Sequence, residues 1–217
     1  MSVRHVIFDL DGTLIDSAQG ILSSFAGAFA ACQMQPCREL NPSLVGPPLL
    51  ETLADLAGTD DPATLQQLAE AFKVIYDDTG YRKTIVFPGV EAMLGSLVEC
   101  GCQLYVATNK RRLPTSRIVA FLGWHQYFEG IYSLDAFTPA LKSKANLLGE
   151  LLHLHAIDVR SAIYVGDRHE DGEAAAANEL GFLLAEWGYD GKQLPAWKAV
   201  RTPDRIAKAI GYRNDQC

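Results

Sequence analysis

At 217 residues, about half of them apolar and a fifth charged, the chain has the balance of an ordinary globular protein, long enough for one core and a small companion domain. Its net charge of −7 argues against a nucleic-acid partner, which needs concentrated Lys and Arg. The apolar run near the start is cut short by Asp9 and Asp11, so neither a secretory signal nor a membrane span is expected, and a cytoplasmic location is. The five cysteines are irregularly spaced and lack a histidine cluster, which predicts free thiols and no zinc site.

In chain order, Val3 to Phe8 reads as a buried strand, β-branched and aromatic, ending at Asp9. From Ile15 to about Phe87 no strand is expected. Helical periodicity covers Ile15–Ala31, Leu49–Ala57 and Pro62–Tyr76, with breaks at Pro36, Pro42, Pro47-Pro48 and Asp60-Asp61-Pro62. Strands then alternate with amphipathic helices: Gln103–Ala107, Ser161–Val165 and Phe182–Ala185 are the apolar runs. Pro88-Gly89 and Arg111 to Pro114 mark helix starts, Gly101 and Gly181 helix stops, and Pro203–Ile210 a last helix. Trp124, Tyr127 and Phe128 read as packing after a helix. Such alternation predicts an α/β fold, a Rossmann-like parallel sheet flanked by helices. Residues 1–14 and 88–217 would form that core, and residues 15–87 an all-helical cap inserted after the first strand.

Three strand ends carry polar groups, and the carboxyl ends of parallel strands are where such sheets bind ligands. Asp9-Leu10-Asp11-Gly12-Thr13-Leu14 follows the first strand. Two carboxylates one residue apart in a tight loop can divide the work of nucleophile and general acid, although an Asp-Gly turn alone is common. Thr108, Asn109 and Lys110 follow the second run, where a hydroxyl and a backbone N–H leading into a helix can cradle phosphate; an isolated Thr there is more often a cap. Gly166-Asp167-Arg168-His169-Glu170-Asp171 follows the third, with Asp171 one helical turn beyond Asp167.

These motifs, in this order and with an upstream lysine, resemble those of the haloacid-dehalogenase-type hydrolase superfamily. The helical insert, with Val45-Gly46-Pro47-Pro48-Leu49 inside it and Phe87-Pro88-Gly89-Val90 at its exit, is similar to the cap of the phosphoglycolate phosphatase-like branch. The resemblance implies Asp9 as nucleophile and Mg²⁺ ligand, and Asp11 as acid and base with its carbonyl on the metal. It implies Thr108 and the Asn109 backbone as phosphoryl holders, Asp167 as metal ligand and Asp171 as a residue behind it. Between Lys142 and Lys144, the Lys144-Ala145-Asn146-Leu147-Leu148 context matches the lysine that neutralises charge between nucleophile and phosphate. Gly46 would face the leaving group; Arg82, at the cap exit, reads as a surface residue.

The family's dehalogenases lack an acid at the Asp11 position, because halides leave without a proton. An alkoxide does not, so Asp11 favours phosphate ester cleavage. The expected activity is hydrolysis of a small phosphorylated metabolite, 2-phosphoglycolate being one candidate, through an aspartyl-phosphate. A sugar-phosphate phosphomutase, a pyrophosphatase or a nucleotidase on the same core are the alternatives; the sequence leaves the oligomeric state open.

Overall fold

The computed structural model describes residues 3–190 and 197–211. The strands are β1 (His5–Phe8), β2 (Ile15–Asp16), β3 (Ile85–Val86), β4 (Gln103–Thr108), β5 (Phe128–Ser133), β6 (Ala162–Gly166), β7 (Gly181–Ala185) and β8 (Ala199–Val200). The helices are α1 (Ala18–Ala31), α2 (Leu49–Ala57), α3 (Pro62–Asp78), α4 (Val90–Glu99), α5 (Arg112–Leu122), α6 (Lys144–Leu154), α7 (His169–Ala176) and α8 (Ile206–Ala209).

Six strands form one parallel sheet in the order β5-β4-β1-β6-β7-β8. Successive residues of β1 point to opposite faces. Val6 and Phe8 enter a cluster with Leu94, Leu97, Ile118 and Trp124, and Ile7 one with Leu147, Leu151 and Tyr164. Both faces are therefore buried, which is why the strand sequences read as continuous apolar runs. Each fully buried Leu, Ile or Phe contributes about 1.5–3 kcal/mol, which sets β1 rigidly between its neighbours. The chain leaves β1 toward β4 and β5, then returns to β6 on the other side. In register, Phe8 lies opposite Val106 and Val165, so Asp9, Thr108 and Asp167 emerge at one edge.

Helices α1, α2 and α3 bury a third cluster of their own, built on Phe25, Phe29, Leu53, Leu56, Leu68 and Phe72. The Phe25 and Phe72 rings lie 4.7 Å apart. Asp61 caps α3 by accepting from Thr64 N, with Pro62 at the first helical position.

Several elements differ from the sequence reading. Helix α1 begins at Ala18, because Ile15–Asp16 pairs antiparallel with Ile85–Val86 as a two-stranded link. Strands of two residues carry no periodicity to read. Strand β5 escaped because it is an edge strand, mostly half-buried and interrupted by Gly130, so it has no continuous apolar run. Gly181 opens β7 rather than ending a helix; α7 already stops at Ala176. Cys32 and Cys37 are free thiols as expected, whereas Cys100 is disulfide-bonded. No helix among the described residues is long and apolar enough to cross a membrane.

Candidate active site

The loop after β1 turns at once. Leu14 and Ile15 N–H groups both donate to the Leu10 carbonyl, at 2.9 and 3.1 Å, and Gly12 N donates to Ile15 O at 2.8 Å. Gly12 adopts φ +84°, and a Cβ there would fall 2.3 Å from Asp167 Oδ2. Only glycine gives both the left-handed turn and this approach of the β1 loop to the β6 loop.

Asp9 is 3% exposed and its backbone N–H donates to Val165 O. Lys144 Nζ donates to Asp9 Oδ1 at 2.9 Å and to Asp171 Oδ1 at 2.6 Å. Lys144 is the first residue of α6, whose N-cap Ser143 accepts from Asn146 N, so the cap geometry sets where the lysine starts. Lys142, two residues earlier, is exposed; Lys144 is the one that reaches Asp9.

Asp167 is fully buried, with Oδ1 accepting from the Thr13 hydroxyl and Oδ2 from Tyr189 N. Asp171 Oδ2 accepts from Arg168 N at 3.1 Å, tying the carboxylate to the start of its own helix. Carboxylate oxygens of Asp9, Asp167 and Asp171 all lie within 4.8 Å of one another. Burial pushes Asp9 up to about 6, with Lys144 pulling the other way. Asp167 lies well above the usual carboxylate range, chiefly from burial and then from Asp171 and Asp9.

Asp11 does not join that cluster. Lys110 Nζ donates to both its oxygens at 2.9 Å, and the Ser17 hydroxyl donates to Oδ1. Burial lowers the Lys110 ammonium, but Asp11 and Tyr76 together hold it above its ordinary range. Thr108 is buried at the end of β4, its hydroxyl accepting from Lys110 N. Asn109 Nδ2 donates to Gly46 O at 3.3 Å, so the Val45-Gly46 stretch meets the β4 loop. Arg82 is exposed beside Tyr81, away from these groups.

Four residues were not assigned this work from sequence. Lys110 and Ser17 hold Asp11. Arg168 Nη1 donates to Val45 O at 2.6 Å. Tyr189 donates its backbone N–H to Asp167 and its hydroxyl to Asp16, while accepting from Ser17 N. Lys110 adjoins the recognised Thr108-Asn109 pair, and that adjacency is its only sequence signal.

The donor set at Asp9, Asp167 and Asp171 is oxygen only, which suits a hard divalent cation such as Mg²⁺. Charge agrees. Among the described residues the cations paired with Asp9, Asp11 and Asp171 are Lys110 and Lys144, so full ionisation of these three and Asp167 would leave an excess of two negative charges that one divalent cation offsets.

Paired aspartates after β1, a hydroxyl after β4, a helix-start lysine and acids after β6 form one constellation, and the sequence profile of the haloacid dehalogenase-like hydrolases matches residues 6–185. The chain belongs to this family. Among relatives of these hydrolases' fold, the tyrosine-protein kinase PtkA of Mycobacterium tuberculosis is 36% identical over 219 residues, covering 97% of this chain and 73% of PtkA. A phosphoglycolate phosphatase of Xanthomonas campestris is 32% identical, covering 86% of this chain and 84% of the relative. A 5'-nucleotidase of Pseudomonas aeruginosa is 28% identical, covering 85% and 83%. Among solved structures, a predicted phosphatase from Clostridium acetobutylicum superposes with a TM-score of 0.85 at 29% identity, covering 97% of this chain and 99% of that one. The structure of PtkA gives 0.81 at 31% identity, covering 97% and 99%.

Proposed function

We propose that this member of the haloacid dehalogenase-like hydrolases is a Mg²⁺-dependent phosphatase acting on a small phosphorylated metabolite through an aspartyl-phosphate on Asp9. The observation that carries this reading is the lysine bridge: Lys144 donates to Asp9 and Asp171 together, placing a cation beside the one buried carboxylate that ends β1. Asp9, the Asp11 carbonyl and Asp167 would hold the metal, with Asp171 behind them. When bound, Mg²⁺ offsets the charge of the phosphoryl oxygens, so that an anion can approach an anion.

The chain's own groups perform the rest. An Asp9 oxygen attacks phosphorus as the bond to the ester oxygen breaks, and Asp11 gives that oxygen its proton. The Thr108 hydroxyl and the Asn109 N–H hold the phosphoryl oxygens. Water then attacks phosphorus and passes its proton to Asp11. The bond to Asp9 breaks and inorganic phosphate leaves. Residues 15–87 serve as a cap over the core formed by 1–14 and 88–217, excluding bulk water in the first step. A cytoplasmic site of action belongs to the same proposal.

The relative named phosphoglycolate phosphatase supports 2-phosphoglycolate as a candidate, and the one named 5'-nucleotidase supports a nucleoside monophosphate. The likeness to PtkA favours one second reading, in which a hydroxyl other than water receives the phosphoryl group; a phosphomutase is of that kind. Phosphate release from a panel of phosphate monoesters tests the choice. The phosphatase reading expects release that needs Mg²⁺ and stops with chelator. Undiminished release in excess chelator would refute the metal requirement, and transfer to an added hydroxyl without free phosphate would favour the second reading.

A further inference from the structure

Asp11 borders a crevice, partly open to solvent, between the core and the helices α1–α3. The group that protonates the leaving oxygen must touch that oxygen, so the alcohol portion of the substrate extends into this crevice. Its wall is mainly apolar: Ile21, Phe25, Leu44, Val45, Leu49 and Phe72 line it. Two cations also line it, and both are engaged. Lys110 is bonded to both oxygens of Asp11, and Arg111 reaches Asp77 with two guanidinium nitrogens at 2.9 and 2.6 Å. The Thr52 hydroxyl is turned back to Pro48 O. Lys142, which makes no such pair, lines a different recess beside Lys144, one that Asp11 does not border.

From this we propose that the enzyme's substrates are monophosphate esters of uncharged, apolar alcohols or phenols, a ring or a branched chain lying against Phe25, Phe72 and Leu49. The inference rests on the phosphatase reading above and narrows it. A glycolate carboxylate entering the crevice meets no disengaged cation among the described residues, and its desolvation goes unrepaid. A ring gains contact along the apolar part of the wall, beside which the Tyr76 hydroxyl and Asn109 Oδ1 stand without hydrogen-bond partners among the described residues.

The test compares kcat/KM of the full chain, with Mg²⁺, for benzyl phosphate, ethyl phosphate and 2-phosphoglycolate. Benzyl and ethyl esters both expel simple alkoxides, so their ratio reads the crevice rather than leaving-group chemistry. Benzyl phosphate is expected to exceed each of the others by about tenfold or more. In Leu49→Arg, which places a disengaged cation at the wall, the ratio of benzyl phosphate to 2-phosphoglycolate falls by about tenfold. Equal or better use of 2-phosphoglycolate by the wild type would overturn the inference while leaving the phosphatase reading intact. No release from any ester, with acetyl phosphate also inert, would instead take down the phosphatase reading and this inference with it.

Discussion

Asp9 and Asp11 are one residue apart in the chain yet meet different partners, and the proposed mechanism divides their work along that difference. Asp9 points among Lys144, Asp167 and Asp171, where, on the proposed mechanism, the attacking oxygen would be flanked by one ammonium and by carboxylates able to hold a divalent cation. Asp11 is clamped by Lys110 and Ser17 and borders the apolar crevice, where the leaving oxygen of the proposed mechanism would arrive. Asp9→Asn removes the nucleophile without removing volume, and Lys144 keeps Asp171. Turnover should fall by about 10⁴-fold or more with no loss of melting temperature. Asp11→Asn should cost about 10²–10⁴ in kcat on an alkyl phosphate and far less on p-nitrophenyl phosphate, whose leaving group needs no proton. Equal losses on both esters would contradict an acid at Asp11. The acidic pairs were legible in the sequence because each follows an apolar run. Lys110 and Ser17 were not, since their task depends on how β4 and the entry to α1 converge on Asp11, a contact no local spacing encodes.

At the scale of elements, the site depends on loops from β1, β6 and β7 packing backbone to backbone. Gly188 lies against this seam: a Cβ there would stand 2.2 Å from Asp167 Cβ and 2.5 Å from Gly12 O. Gly188→Ala must displace Asp167, so the Mg²⁺ concentration giving half-maximal activity should rise about 10- to 100-fold, read by metal titration of the rate. An unchanged titration would mean that Asp167 does not hold the metal. Trp187 Nε1 donates to Thr13 O and Tyr189 to Asp16, so the β7 loop clasps the same turn. The sheet itself was largely legible, because central strands buried on both faces have unbroken apolar runs. The edge strand β5 and the two-residue pairing of β2 with β3 were not, because neither leaves a pattern long enough to distinguish from a loop.

For the whole molecule, four buried carboxylates against two lysines among the described residues should make the protein in chelator sensitive to pH. Burial raises Asp9 from an ordinary value of about 3.9 to about 6, and raises Asp167 in the same direction. A raised carboxylate favours the folded state at low pH. Stability from this cluster is therefore full below about pH 4 and lost as pH rises through 6, a loss on the order of a few kcal/mol. In chelator, the melting temperature should fall between pH 5 and pH 8 on this account, and Mg²⁺ at pH 8 should restore it. A melting temperature indifferent to Mg²⁺ at pH 8 would mean that the cluster does not bind the cation.

The central claim is a phosphoryl group carried on the β1 aspartate, and rapid acid quench with a radiolabelled ester measures it directly. During turnover the label should appear on the peptide containing Asp9, turn over into inorganic phosphate, and be missing from Asp9→Asn. Steady phosphate release from the wild type with no label on that peptide at any quench time would contradict it.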